Sequence, residues 1–374
     1  MTKNLRVDFP NRLDALDGLR GIAALIIALF FHYKKFLPGV SIDEFPLSGI
    51  FEYLYKDGAI CVELFFMMSG FIFFRFYFQK VSEHKIKVES FFGKRIVRLF
   101  PLYLITSAVV VIIQKIIDIF MNTYFNTQFP ADIKHKVLNL FGLGFGWLDN
   151  QVYPYNPPAW SISVELLLYI IFFVLVWFAG KNKDKLYSVM LGLIALGVVA
   201  IHFSWSYPMV NRETGRGLAC FFIGCLVSKA DEVINKYHIS VFKKLIWIAS
   251  TLLILFAFHD YNLAYVLVIF PSVILLTLNL FTANKVLSSK PLVYLGKISY
   301  SVYMWHYPVM AALWFVSKQF GLLDFHTPLA LAVYTIVLIA VSVVSYHAIE
   351  KPLSKLFGKI FVKDSIKWED EIAL

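Results

Sequence analysis

The chain has 374 residues, of which 59% are hydrophobic, 17% aromatic and only 16% charged. A soluble globular fold is excluded, and soluble enzymes and nucleic-acid binders go with it, because 37 Phe and 20 Tyr exceed what a core of this size hides from water. The formal charge of +10 does not require a polyanion partner, since the basic residues follow a membrane arrangement.

Apolar runs of about 17 to 25 residues, the bilayer-spanning range, recur along the chain. The stretch from Met1 to Asp17 is polar, and the run after it ends without a small-residue cleavage site, so that run is a span and not a signal peptide. In chain order the predicted spans are Gly18–Leu37, Ala59–Phe78, Leu99–Ile117, Ser161–Ala179, Leu186–His202, Gly217–Ser228, Leu245–Phe258, Asn262–Phe281, Ile298–Ser317 and Pro328–Ala348. The expected fold is therefore an all-α polytopic membrane protein with about ten transmembrane helices. One domain is expected over 13–357, followed by a short basic cytoplasmic tail over 358–374.

With the N-terminus cytoplasmic, 26 of the 35 Lys and Arg residues fall on the inner side, whereas Asp and Glu divide 13 to 12. The basic excess alone orients the chain and puts both termini inside. The longest outer stretch, Asp118 to Trp160, is expected to fold over the outer mouth. It carries Tyr124, Trp147, Tyr153, Tyr155 and Trp160 and a moderately apolar piece, Val137 to Leu148. These rings suit either sugar stacking or the membrane interface, and the sequence leaves both open. Cys61, Cys220 and Cys225 sit in apolar runs with no metal-ligand spacing, so they read as packing residues, and no metal site is expected.

Polar residues within spans are costly in lipid and are the candidate functional groups. His32 lies about 20 Å along the first helix at about 1.5 Å per residue, where a neutral imidazole suits a general base, the alternative being an interfacial histidine beside Lys34 and Lys35. Arg20, twelve residues earlier, must act at the inner end with Asp17 beside it. Arg95 and Arg98 share a helix face just before the third span, as a phosphate clamp or as ordinary cytoplasmic anchors. After Pro157 and Pro158, Trp160 opens a helix in which Ser161, Glu165 and Tyr169 recur at i, i+4 and i+8, a stripe that should face a cavity. Ser163 lies in the same stretch. Glu63, Ser69, Ser299, Tyr300, Tyr303 and His306 add polar groups at depth. Pro308 deprives the Met304 carbonyl of its helical donor and should kink the ninth span.

In this order the motifs closely resemble the acyltransferase-three family of integral-membrane O-acyltransferases, which includes the O-acetylases of bacterial surface polysaccharides. The resemblance rests on Leu16-Asp17-Gly18-Leu19-Arg20-Gly21 followed by Phe31-His32, on Val62-Glu63-Leu64-Phe65-Phe66 with Ser69-Gly70-Phe71, and on Arg95 and Arg98 with Pro101-Leu102-Tyr103. It continues through Trp160-Ser161-Ile162-Ser163-Val164-Glu165, Ile298-Ser299-Tyr300-Ser301-Val302-Tyr303-Met304-Trp305-His306 and Ile349-Glu350-Lys351-Pro352. It implies a multi-pass protein of the bacterial cytoplasmic (inner) membrane that moves an acyl group from cytoplasmic acyl-CoA, usually acetyl-CoA, to a hydroxyl of a glycan or glycolipid outside, such as O-antigen or exopolysaccharide. His32 would be the catalytic histidine, Arg95 and Arg98 with Arg20 the acyl-CoA contacts, and Glu165 the motif acid. Glu63 stands where many members carry Asp. The length suggests a stand-alone form without an SGNH-type domain, and oligomeric state is not legible.

On this reading direct transfer, with His32 as base, is expected ahead of an acylated His32. The rival reading is a polysaccharide exporter or flippase, against which stands the lack of matched interrupted helices in the two halves.

Overall fold

The computed structural model of the protein describes residues 13–126, 132–144, 153–237 and 265–361. Their regular structure is helical apart from one two-residue antiparallel pair, Ser206–Tyr207 with Val210–Asn211. The predicted seventh span, Trp147 and the residues from 362 onward lie outside the described residues. Helix α1 (Asp14–Ile26) continues through a π turn (Ile27–Phe31) into a 3₁₀ turn (Tyr33–Phe36), and α2 (Ser48–Asp57) leads into α3 (Cys61–Ser82). Next come α4 (Val88–Met121), α5 (Ile133–Leu140), α6 (Trp160–Ala179), α7 (Lys183–His202) and α8 (Arg212–Lys236). A π turn (Tyr265–Ile269) precedes α9 (Phe270–Asn279), α10 (Phe281–Leu287), α11 (Lys290–Phe320) and α12 (Pro328–Ser345), and a third π turn (Tyr346–Glu350) precedes α13 (Lys351–Phe361).

Six described segments are long and apolar enough to cross a membrane, and α9 with α10, bent by 88°, makes a seventh if the pair is one span. Two further helices have the length without the composition. At about 1.5 Å per residue, α8 and α11 reach about 37 and 46 Å, more than the ~30 Å hydrocarbon core. In α8 the obstacle is charge, and the structure neutralises it in pairs: Arg216 binds Glu63 and Glu213, and Arg75 on α3 binds Asp231. The sixth predicted span was bounded by those charges, so Gly217–Ser228 falls short of a helix that starts at Arg212 behind an Asn211–Thr214 capping box. The third predicted span lies within helix α4, which already begins at Val88, so Arg95 and Arg98 belong to the same helix as that span.

Close backbone contact explains two glycine motifs. A Cβ on Gly70 would stand 1.8 Å from the Phe221 carbonyl oxygen, and one on Gly224 would stand 2.0 Å from that of Met67, so α3 and α8 touch backbone to backbone. Met67, Met68, Cys220 and Cys225 are buried in the surrounding core, and all three cysteines are free. Gly21 and Gly296 bring α1 against α11 in the same way. Contacts between Leu99 and Tyr300 and between Phe120 and Phe315 show α4 running alongside α11 in the same sense. Helices α3 and α6 run the other way, with Phe65 beside Tyr303 at one level and Tyr77 beside Arg95 at another.

The stretch predicted to lie outside is anchored by polar side chains. Asn139, at the end of α5, takes the Tyr155 amide proton on its Oδ1 and donates to the Tyr153 carbonyl. The Asp132 carboxylate caps α5 by accepting from the His135 N–H, which holds it below the usual carboxylate range. Helix α13 lies along α4, where Ser354 donates to the Val97 carbonyl.

Candidate functional site

Between α1, α3, α4, α6 and α11 lies a cavity of ≈ 140 Å³. Four cations reach it, Arg20, Lys94, Arg95 and Arg98, against one carboxylate, Glu165. The cations come from the early turns of α1 and α4, which run together, so they gather at one end. Arg95 lies over the rings of Tyr77 (4.1 Å), Phe73 (4.7 Å) and Phe91 (5.1 Å), and its Nη1 donates to the Phe91 carbonyl at 3.4 Å. Arg98 has a buried Nε with no hydrogen-bond partner among the described residues. Arg20 is 3.6 Å from the Asp17 carboxylate.

The predicted stripe on α6 faces the cavity as expected. Ser161, Glu165 and Tyr169 all line it. Glu165 Oε1 accepts from the Ser69 hydroxyl at 3.0 Å and from the Tyr169 hydroxyl, and the Tyr169 ring stacks on Phe73 at 4.2 Å, beneath Arg95. Tyr300 donates to the Leu99 carbonyl at 2.6 Å. At the end away from the arginines, the Tyr303 hydroxyl meets Ser161 Oγ at 3.0 Å and the Pro158 carbonyl at 2.9 Å.

His32 and His306 do not line the cavity. Tyr303 does, and its ring centroid is 5.7 Å from that of His306, which in turn lies nearly coplanar and edge to edge with His32, the centroids 4.8 Å apart. His32 Nδ1 is 2.7 Å from His306 Nε2. The π turn before His32 carries its amide to the Ile27 carbonyl and turns the imidazole toward α11, a distortion often found at functional positions. His306 is fully buried.

Asp17, Glu63, Trp160 and Ser163 also stand off the cavity. Ser163 donates to the Gly144 carbonyl at 3.3 Å. Glu63 accepts two bonds from Arg216, at 2.7 and 2.9 Å, and the Arg216 guanidinium lies 4.8 Å from the Trp160 ring. Arg216, Tyr77, Lys94 and Ser354 were not singled out by the sequence reading. The one sequence signal for the first is a lone arginine directly before the sixth predicted span. Among the described residues no group of three or more His, Cys, Asp or Glu side chains could hold a metal ion.

Helices of this length and apolarity around a cavity with a cationic end define an integral membrane protein of helical type. The chain matches the family model described as an acyltransferase domain over residues 13–347, and it belongs to that acyltransferase-three family. It is similar to the O-acetyltransferase OatA of Staphylococcus aureus (strain NCTC 8325 / PS 47), at 25% identity over 94% of this chain and 59% of the relative. A putative O-acetyltransferase of S. aureus (strain COL) is 24% identical over 92% of this chain and 57% of its own length. Protein 2 in the picA locus of Rhizobium radiobacter is 28% identical over 42% of this chain and 80% of its own. The chain thus spans about three fifths of the length of the first two relatives. No solved structure matches it.

Proposed function

We propose that the chain is an O-acyltransferase of the bacterial cytoplasmic membrane, taking an acetyl group from acetyl-CoA on the inner side and delivering it to a hydroxyl of a glycan or glycolipid outside. The observation that carries this is the polarity of the cavity. Its cationic end suits the phosphates of CoA, and its lining includes Ser69, Glu165, Tyr169 and Tyr303, the last of which adjoins His306. An extended pantetheine arm suits a separation of about 20 Å along α1.

Arg95 and Arg98, with Arg20 and Lys94, hold the CoA phosphates. His32 accepts the proton of the acceptor hydroxyl as its oxygen attacks the thioester carbonyl. The new C–O bond forms, the C–S bond breaks, and the proton passes from His32 to the departing sulfur. The cavity stops at Tyr303 in this structure. The thioester therefore reaches His32 by displacing the phenol from Ser161 and the Pro158 carbonyl.

Ten spans with both ends cytoplasmic fit this route. The partition of basic residues supports the orientation. The segments of spanning length and composition, the bent pair, α8 and α11 account for nine, and Leu245–Phe258, outside the described residues, would be the tenth.

The test is thiol release from acetyl-CoA by the purified protein, with and without membrane glycan. Transfer should be lost in His32→Ala while acetyl-CoA binding persists. Full transfer by that variant refutes the assignment, and no CoA release by the wild type returns the chain to the exporter reading. Intact-mass measurement after mixing with acetyl-CoA alone should show no acylated protein, as direct transfer requires.

A further inference from the structure

We infer that His306 is a positioning residue that fixes the tautomer of His32, leaving Nε2 of His32 as the base; this rests on the reading of His32 given above. Two hydrogen bonds dictate the proton placement. His306 Nδ1 is 2.6 Å from the Tyr303 carbonyl oxygen, which only accepts, so the proton of a neutral His306 is on Nδ1. Nε2 of His306 then carries the lone pair. His32 Nδ1, 2.7 Å away, must be the donor, and a neutral His32 with its proton on Nδ1 has a bare Nε2.

The alternative, a resident imidazolium, lacks a counter-charge. Neither ring meets a carboxylate among the described residues, and the nearby ammonium of Lys35, 5.0 Å from the Tyr307 ring, would add a second positive charge. Nothing competes for Nε2 of His32, to which no protein group hydrogen-bonds among the described residues. The arrangement is rigid. Gly21 and Gly296 press α1 on α11, the Tyr334 hydroxyl bonds the Ala28 carbonyl one turn before His32, and the π turn sets the ring's azimuth.

In the reaction the acceptor's O–H bond breaks and its proton joins His32 Nε2. The cation so formed keeps Nδ1–H on His306 Nε2, which shares the charge toward the Tyr303 carbonyl. The proton on Nε2 then goes to the CoA sulfur, and both rings return to their starting tautomers. His306 touches neither donor nor acceptor.

The experiment combines ¹⁵N-histidine NMR of the full chain in nanodiscs with steady-state kinetics. The His32 signal, identified by its loss in His32→Ala, should show a protonated Nδ1 and a bare Nε2 in the wild type. His306→Phe should mix the two tautomers and lower kcat about 10- to 100-fold, the range for a group that orients a site residue, with KM for acetyl-CoA unchanged. His306→Gln offers a carbonyl oxygen to Nδ1–H and should restore both the tautomer and most of kcat. A protonated Nε2 on wild-type His32, or wild-type kcat in His306→Phe, overturns the inference. If His306→Phe does not fold, the wild-type spectrum and the Gln variant still decide. The spectrum needs no turnover, so an active His32→Ala would refute the base assignment without touching the tautomer.

Discussion

The side-chain amide of Asn156 donates to the carbonyl of Met304 across 2.8 Å. That carbonyl is the one Pro308 deprives of its helical N–H, and α11 nonetheless runs unbroken from Lys290 to Phe320. The freed carbonyl is satisfied by a partner borrowed from the segment before α6. The same bond positions Pro158, whose carbonyl holds Tyr303.

Asn156→Ala should destabilise the protein by about 1–3 kcal/mol, the cost of an orphaned buried acceptor. In a Pro308→Ala background, Ala supplies the missing N–H and the loss should shrink. Thermal unfolding in detergent of both single variants and the double variant measures the coupling. Equal losses in both backgrounds would show that Asn156 acts elsewhere.

Glu63 and Arg216 form a buried pair with side chains 10% and 12% exposed. Glu63→Ala leaves the guanidinium with Glu213 alone, and about 3–5 kcal/mol of stability should be lost. Replacing both partners, as Glu63→Leu with Arg216→Met, should recover much of it. A mild effect of the single substitution, read as melting temperature, would mean that Glu213 suffices.

Arg95→Ala combined with Arg98→Ala should weaken acetyl-CoA binding about tenfold or more while the protein stays folded, since two charge-assisted contacts are lost. Lys at both positions should recover part of the affinity but not the planar fit over Tyr77. Isothermal titration with CoA settles the point. Unchanged affinity would return the pair to membrane anchoring.

Glu165→Gln keeps an acceptor oxygen for Ser69 and Tyr169 but removes the one carboxylate facing the arginines in the cavity. The variant should fold and lose about tenfold or more in transfer rate. Wild-type turnover would reduce Glu165 to a packing role.

What the sequence revealed was local. Ser161, Glu165 and Tyr169 lie on one helix at helical spacing, so their common face followed from periodicity alone, as did the grouping of Arg95 with Arg98. What it hid was pairing between helices. Glu63 and Arg216 are 153 residues apart, His32 and His306 274. Reading charge as a stop signal cut short the sixth predicted span, because a charge neutralised by another helix looks in sequence like one meant for water. The π turn before His32 left no mark in Ile27-Ala28-Leu29-Phe30-Phe31, which reads as ordinary apolar helix.

On the proposed topology, the closure at Tyr303 also bears on the cell's energy supply. Each elementary charge that crosses a polarised membrane dissipates about 2.3 kcal/mol per 100 mV, and a wet cavity running through to a pair of imidazoles would be a wire for protons. The phenol bonded to Ser161 and Pro158, with Phe65 6.0 Å from its ring, interrupts that wire with a hydroxyl whose hydrogen bonds are already spoken for. On that proposal an enzyme that reaches across a bilayer must insulate as well as catalyse, and the two tasks fall to different side chains: His32 does the chemistry, and Tyr303 stands in the way until a thioester displaces it.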